Sequence, residues 1–317
     1  MKTLNQYIKE SLLCKAIYNE SILDDEDDLV NNSPVEIIEK FIKDNYKVVG
    51  KLNIKEVDNK YIVDYRGNVE VSNIKIEQLT NEFFKWGKVG GCFSCSFCES
   101  LKSLEGAPEK VGGDFSCSSC KSLTSLEGAP EKVGGDFSCS KCKSLKSLKG
   151  APEKVGGDFY CSYCESLKSL EGAPEKINGY FYCIYCKSLK SLKGAPEKAD
   201  GGFDCSYCTS LTSLEGAPKE VGKGFFCNNC ESLPSLQGAP KEVGGSFYCS
   251  SCILLKDLTG VPEEVGWDFD CSNCSLLKDL TGAPEKVGRS FYCRECGVQF
   301  TKEDIEKVSK VKEKIFV

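Results

Sequence analysis

The stretch that decides the fold runs from Phe115 to Asp136 and reads FSCSSCKSLTSLEGAPEKVGGD. Its leading phenylalanine recurs every 22 residues without insertion or deletion. The ten copies are Phe93, Phe115, Phe137, Phe159, Phe181, Phe203, Phe225, Phe247, Phe269 and Phe291. Such strict internal periodicity is typical of a solenoid, because each repeat buries its apolar face only by stacking on its neighbours.

One repeat contains signals for a strand, an inward-facing return segment and two turns. Residues 114–118 (DFSCS) alternate polar and apolar side chains, as in a half-buried strand. Leu123 and Leu126 add two apolar residues to the return path, and the Gly-Ala-Pro and Val-Gly-Gly pieces are turn signals. The repeat therefore predicts a mainly β fold, a parallel β-solenoid of ten 22-residue turns with one strand per turn.

The repeat resembles the leucine-rich repeat, whose pattern is L-x-x-L-x-L-x-x-N/C-x-L. The corresponding pattern in this chain is V-G-G-x-F-x-C-x-x-C-x-x-L, which has one additional glycine between Val and Phe. The resemblance covers the repeats from Phe93 to Cys296. The resemblance implies that Phe and the first Cys point inward and that the second Cys takes the place of the Asn or Cys ladder. The rhythm is also similar to that of short cysteine-containing repeats of gut bacteria and their phages.

The segments flanking the repeats predict caps, because the end turns of a solenoid otherwise expose core and strand edges. We expect four segments: an N-terminal helix and acidic linker at 1–30, an α/β cap at 31–91, the solenoid at 92–297 and a C-terminal cap at 298–317.

Two capping motifs and two apolar runs predict the elements of these caps. Ser33-Pro34-Val35-Glu36 is a capping box with proline at the first helical position, so a helix is expected from Pro34 to about Asp44. Strands are expected near 48–57 and 60–65. A short C-terminal helix is expected to begin at Thr301.

The first residues, MKTLNQYIKES, resemble the head-targeting leader of internal capsid proteins in T-even-type phages. That resemblance implies cleavage between Glu10 and Ser11, packaging in a phage head and delivery to the host with the DNA. The spacing of Leu4, Ile8 and Leu12 also fits an ordinary amphipathic helix. Both interpretations stay open.

Composition narrows the classes of partner and compartment. The net charge of −6 argues against nucleic acid as a partner, and no apolar run is long enough to span a bilayer. The N-terminus lacks the apolar core of a secretory signal. We therefore expect a monomer in the reducing cytoplasm of a host cell, binding a protein and not nucleic acid or a membrane.

Twenty of the 22 cysteines form ten C-x-x-C pairs, from Cys95/Cys98 to Cys293/Cys296. The interpretation we favour is a reduced core without cofactor, because free Cys behaves as a small buried hydrophobe. The alternative is zinc or an iron–sulfur centre on stacked pairs, beginning with Cys95, Cys98, Cys117 and Cys120. Disulfides are a third interpretation, disfavoured by a reducing compartment.

The residues that alternate with the inward Phe and Cys should point outward, and several of them are aromatic in the middle turns. The candidate partner-binding residues are Tyr160, Tyr163, Tyr182, Tyr185, Tyr207, Phe226 and Tyr248. Clustered exposed aromatics mark protein interfaces. Strand propensity alone would also favour Tyr and Phe at these positions.

No catalytic constellation is present, since the chain has no histidine, no G-x-S-x-G motif and no P-loop. We therefore predict a non-enzymatic, phage-encoded protein-interaction scaffold that binds a host or virion protein through its aromatic strand face. A metal-binding repeat protein and a structural virion component without a specific ligand are the alternatives.

Overall fold

A computed structural model describes residues 33–58, 60–71, 75–79 and 84–317. The predicted leader, N-terminal helix and acidic linker within residues 1–30 lie outside the described residues. In the described part, two α-helices, Pro34–Asn45 and Lys302–Val308, flank a long parallel β-solenoid. The predicted fold class is confirmed.

The first sheet, sheet A, carries one two-residue strand per turn, each beginning at the repeated phenylalanine. Its twelve strands are Val69–Glu70, Phe93–Ser94, Phe115–Ser116, Phe137–Ser138, Phe159–Tyr160, Phe181–Tyr182, Phe203–Asp204, Phe225–Phe226, Phe247–Tyr248, Phe269–Asp270, Phe291–Tyr292 and Ile315–Phe316. Neighbouring strands are parallel and in register, so that each phenylalanine pairs with the next. The first and last strands come from the caps, and the sheet is therefore longer than the ten repeats.

A second strand in every turn was not predicted, and the expectation of one strand per turn was wrong. Sheet B contains Asn53–Val57, Lys60–Tyr65, Phe84–Val89, Lys110–Val111, Lys132–Val133 and Lys154–Val155. Sheet C contains Lys176–Ile177, Lys198–Ala199, Glu220–Val221, Glu242–Val243, Glu264–Val265, Lys286–Val287 and Lys310–Val311. From Lys110 onward these strands are two residues long, and glycine follows most of them, so no alternating pattern develops in the sequence.

The core of the solenoid is a column of phenylalanine rings with cysteine and leucine on either side. The ten repeat phenylalanines are at most 1% exposed, and successive ring centroids lie 4.9–5.9 Å apart. Both cysteines and both leucines of nearly every turn are also fully buried. Since burying one such side chain stabilises the fold by about 1.5–3 kcal/mol, the repeated inward residues account for most of the apolar driving force.

The caps close the column with aromatic and helical residues. The helix Pro34–Asn45 begins with the predicted capping box, in which Ser33 and Glu36 bond each other's backbone N–H groups. At the same end Trp86 packs edge-on against Phe93, with 6.1 Å between ring centroids. The C-terminal helix has its own capping box at Thr301, and the chain then adds a last strand to sheets C and A.

Sheets B and C separate between the third and fourth turns, where glycine gives way to Asn178. In regular turns the glycine after the strand lies against the turn below: a Cβ at Gly156 would lie 2.1 Å from the Gly134 carbonyl oxygen. Gly156 N–H donates to Val133 O at 2.9 Å, whereas no counterpart from Asn178 to Val155 is formed within the described turns. The ladder between sheets B and C is therefore interrupted at Asn178.

We expect Gly156→Asn to lower the free energy of unfolding by about 1–3 kcal/mol, because its Cβ has no room above Gly134. Asn178→Gly is the matched reverse change and should raise stability by restoring the missing ladder bond. Urea unfolding followed by circular dichroism measures both. Equal midpoints for the two variants and the unaltered protein would show that the glycine contact does not limit the stacking.

Candidate interaction surface

The C-x-x-C loop brings one residue per turn out of the solenoid in an unusual backbone conformation. The second residue between the cysteines has a φ of 53–62° in all ten turns. These ten residues are Phe97, Ser119, Lys141, Tyr163, Tyr185, Tyr207, Asn229, Ser251, Asn273 and Glu295. The left-handed region costs an ordinary side chain about 1–2 kcal/mol and suits glycine and asparagine best.

Three consecutive tyrosines occupy this strained position and form the tyrosine column: Tyr163, Tyr185 and Tyr207. Their rings stack nearly parallel, with centroids 4.9 Å apart for Tyr163–Tyr185 and 4.4 Å for Tyr185–Tyr207. Tyr163 is 44% exposed and Tyr207 is 37% exposed. The column is therefore a flat aromatic surface that faces solvent.

A second aromatic group, the inner stack, lies on sheet A and is less accessible. Tyr160 and Tyr182 stack at 4.9 Å between centroids, and Tyr180 stacks on Tyr182 at 5.3 Å. All three are half-buried, and the Tyr160 hydroxyl donates to Asp158 at 2.8 Å. Burial and this carboxylate raise the pKa of Tyr160 above its ordinary range. The rings of the inner stack are thus packed against the protein more than they project into solvent.

The seven predicted binding residues do not form one uninterrupted stripe. Asp204 pairs with Tyr182 on one side and with Phe226 on the other, and so separates the inner stack from the Phe226–Tyr248 pair. The Phe226 and Tyr248 centroids lie 5.2 Å apart with tilted rings. Both rings are half-buried. The structure therefore brings together the tyrosine column and the inner stack, and leaves Phe226 and Tyr248 as a neighbouring pair.

Tyr180 was missed by the sequence analysis, although a signal for it exists. In the three preceding repeats this position is aspartate, and the Oδ1 of Asp136 accepts the backbone N–H of Asp158 at 2.8 Å. Replacement of that aspartate by tyrosine in one repeat places a ring over Gly202, where a Cβ would lie 2.2 Å from the ring. A comparison of repeats at their scaffold positions would have found it.

The face changes character toward the N-terminal end of the solenoid. There the outward residues of sheet A and the residues that follow the first cysteines are serines, whose hydroxyls bond one another from turn to turn: Ser96 to Ser116 at 2.8 Å and Ser118 to Ser138 at 2.7 Å. These hydroxyls are satisfied internally and present little apolar area. The stacked tyrosines are therefore confined to the middle turns, and Phe97, 55% exposed, is a separate exposed ring in the first turn.

The cysteines occupy structural positions in each turn. The second cysteine donates its S–H to the carbonyl oxygen one turn below, as from Cys142 to Cys117 O, and the ten S···O distances are 3.1–3.4 Å. Burial raises the pKa of Cys161 well above its ordinary value and that of Cys183 to about 12. Both thiols therefore stay protonated at neutral pH.

A metal ion would need deprotonated thiolates gathered around one point. Among the described residues no group of three or more Cys, Asp or Glu side chains is arranged to hold one. The 21 described cysteines are all free thiols, and the second thiol of each pair is engaged by a backbone carbonyl. In this arrangement the second thiols of the first nine pairs are buried hydrogen-bond donors of the core.

A large concave surface lies on sheet C, away from the tyrosines. It encloses about 1040 Å³ and is lined by glycine, proline, valine and charged residues, without an aromatic side chain. Its charges are partly paired across turns, as in Lys198–Glu220 at 2.7 Å. Because aromatic anchors dominate binding energy at protein interfaces, the tyrosine column is the stronger candidate of the two surfaces.

Comparison of the chain with protein-family models, with curated proteins and with solved structures finds no match. The fold of this chain is therefore assigned from the geometry of its 22-residue turns alone. No helix in the described ranges has the length and apolar character needed to cross a bilayer.

If the cysteines are reduced core residues, protein purified anaerobically without chelator should contain no stoichiometric zinc or iron. All 22 thiols should then react in denaturant without prior reduction. Elemental analysis and a thiol titration on the same sample measure both quantities. Several metal ions per chain, or a shortfall of thiols that a reductant restores, would contradict this assignment.

Proposed function

We propose that this protein is a non-enzymatic interaction scaffold that binds a protein partner through the tyrosine column and the adjoining inner stack. The observation that carries the proposal is the placement of Tyr163, Tyr185 and Tyr207 in the left-handed backbone region.

Backbone strain and ring stacking can be compared in magnitude. Three tyrosines in the left-handed region cost about 3 kcal/mol or more at ~1–2 kcal/mol each. Two stacked aromatic pairs return about 1–3 kcal/mol at ~0.5–1.5 kcal/mol each. The same position is asparagine at Asn229 and Asn273, which avoids most of the strain. Fold stability alone thus favours asparagine over tyrosine, and binding supplies a reason for the tyrosines.

The chemistry of the surface suits a protein partner. Tyrosine buries a large area at low entropic cost and can donate a hydrogen bond from its rim. Ile184 lies half-buried between Tyr182 and Tyr185 and adds an apolar centre. Asp204 contributes one half-buried carboxylate at the edge. An apolar partner surface with basic residues at its rim would complement this patch.

The finer parts of the proposal concern origin and relatives. A leucine-rich-repeat relationship, a phage origin and packaging in a virion head follow from the repeat pattern and the first eleven residues. They agree with a delivered protein that binds a host or virion component. A metal-binding repeat protein and a structural virion component are the alternatives, and the metal analysis addresses the first of them.

The test replaces the tyrosine column with the residue that the backbone prefers. The triple variant Tyr163→Asn, Tyr185→Asn and Tyr207→Asn should be at least as stable to unfolding as the unaltered protein, because the strain that is relieved exceeds the stacking that is lost. It should lose partner capture, with affinity falling about 100-fold or more, as expected for hot-spot residues.

The matched control makes the same change in the same column outside the patch: Ser119→Asn, Lys141→Asn and Ser251→Asn. Both variants are used to capture partners from a lysate of cells expressing the gene, with quantitative mass spectrometry. Calorimetry with the purified partner then gives the affinity. A partner that binds both variants equally would exclude the tyrosine column as its site.

A further inference from the structure

The last C-x-x-C pair differs from the other nine in its surroundings. In each of the nine preceding turns, the left-handed residue just before the second cysteine donates its backbone N–H to the C-x-x-C loop of the next turn. Asn273 N–H, for example, donates to Arg294 O at 2.7 Å. The final loop has no further C-x-x-C loop above it, because the closing strand Ile315–Phe316 covers only sheet A. Cys296 is therefore half-buried, whereas Cys274 one turn below is fully buried.

The two sulfurs of this pair are also in contact. Cys293 Sγ and Cys296 Sγ lie 3.3 Å apart, close enough for a disulfide to form with little movement. Cys293 is 2% exposed and is therefore sheltered from solvent. The pair thus has one accessible sulfur and one sheltered partner.

The neighbouring thiols favour the Cys296 thiolate, while the protonated Cys296 donates its S–H to the Cys271 and Arg294 carbonyl oxygens at 3.4 and 3.7 Å. Hydrogen bonds with the thiols of Cys271 and Cys293 hold the pKa of Cys296 well below its ordinary value. The neighbouring charges, on Arg294 and Glu295, are of opposite sign and largely offset each other. Cys120 also has a lowered pKa through its bond with Cys95, but it is fully buried. Cys296 combines a lowered pKa with access to solvent.

We propose that Cys293 and Cys296 form a dithiol site that undergoes thiol–disulfide exchange with low-molecular-weight disulfides of the glutathione type. The Cys296 thiolate attacks one sulfur of the disulfide, the S–S bond breaks, and the first small thiolate leaves. Cys293 then attacks the Cys296 sulfur in the mixed disulfide and displaces the second small thiolate. Two protein thiols are oxidised, one disulfide is reduced, and the two protein protons end on the two released thiols.

This proposal is independent of the tyrosine column. The site lies at the C-terminal end of the solenoid, three turns beyond the repeat that contains Phe226. The nine lower pairs share its sequence pattern, but their thiols are buried and bonded within the stack. One pair of ten is therefore reactive.

The experiment uses the full chain with Cys14→Ser and Cys92→Asp, because Cys92 is half-buried and the three repeats that follow it carry aspartate at its position. In the folded protein, one thiol should react with Ellman's reagent about tenfold faster than a free peptide thiol. Adding Cys296→Ser should abolish this phase, while Cys274→Ser, the same change one turn lower, should retain it.

A second measurement separates the attacking from the resolving residue. With glutathione disulfide, the background protein should lose two hydrogens, and peptide mapping should place a disulfide between Cys293 and Cys296. Cys293→Ser should instead stop at a mixed disulfide on Cys296, with circular dichroism confirming the fold. A fast thiol that survives Cys296→Ser, or a folded background protein that gains no such disulfide, would overturn the proposal.

Discussion

The structure depends on the in-register stacking of one phenylalanine per turn. Each ring must meet the ring above and below it at about 5 Å, as Phe159 and Phe181 do at 5.0 Å. That condition requires every turn to return the chain to the same place after the same path length. It explains why the repeat keeps 22 residues without exception, since an extra residue would move one ring out of the column and separate two turns.

The same constraint copies backbone geometry from turn to turn, strained positions included. The left-handed residue between the cysteines appears in all ten turns, and in nine of them its N–H donates to the loop of the next turn. The glycine that follows most strands of sheets B and C appears because two backbones meet there, as at Gly134 and Gly156. Variation is then confined to residues that leave the stack, and function has to be carried by those outward columns.

Several features of the sequence predicted the structure because their physical basis is local. The helix after Ser33 was predicted to within one residue of its end, since a capping box and an N-terminal proline act over a single helical turn. The inward positions of Phe and Cys follow from the period-two alternation of one strand. The second strand in each turn was missed because Lys132–Val133 is two residues long, and its pairing comes from neighbours 22 residues away.

The sequence by itself determined the repeat, its length, the inward and outward positions and the column in which the tyrosines fall. Its ten C-x-x-C pairs are nearly equivalent in sequence. Only the tertiary structure decided which outward aromatics stay accessible, since the exposure of Tyr163 and Tyr160 depends on how far each backbone position projects from the sheet. It also made one cysteine pair differ from the rest, because burial depends on what is stacked above, and above Cys296 the C-x-x-C column ends.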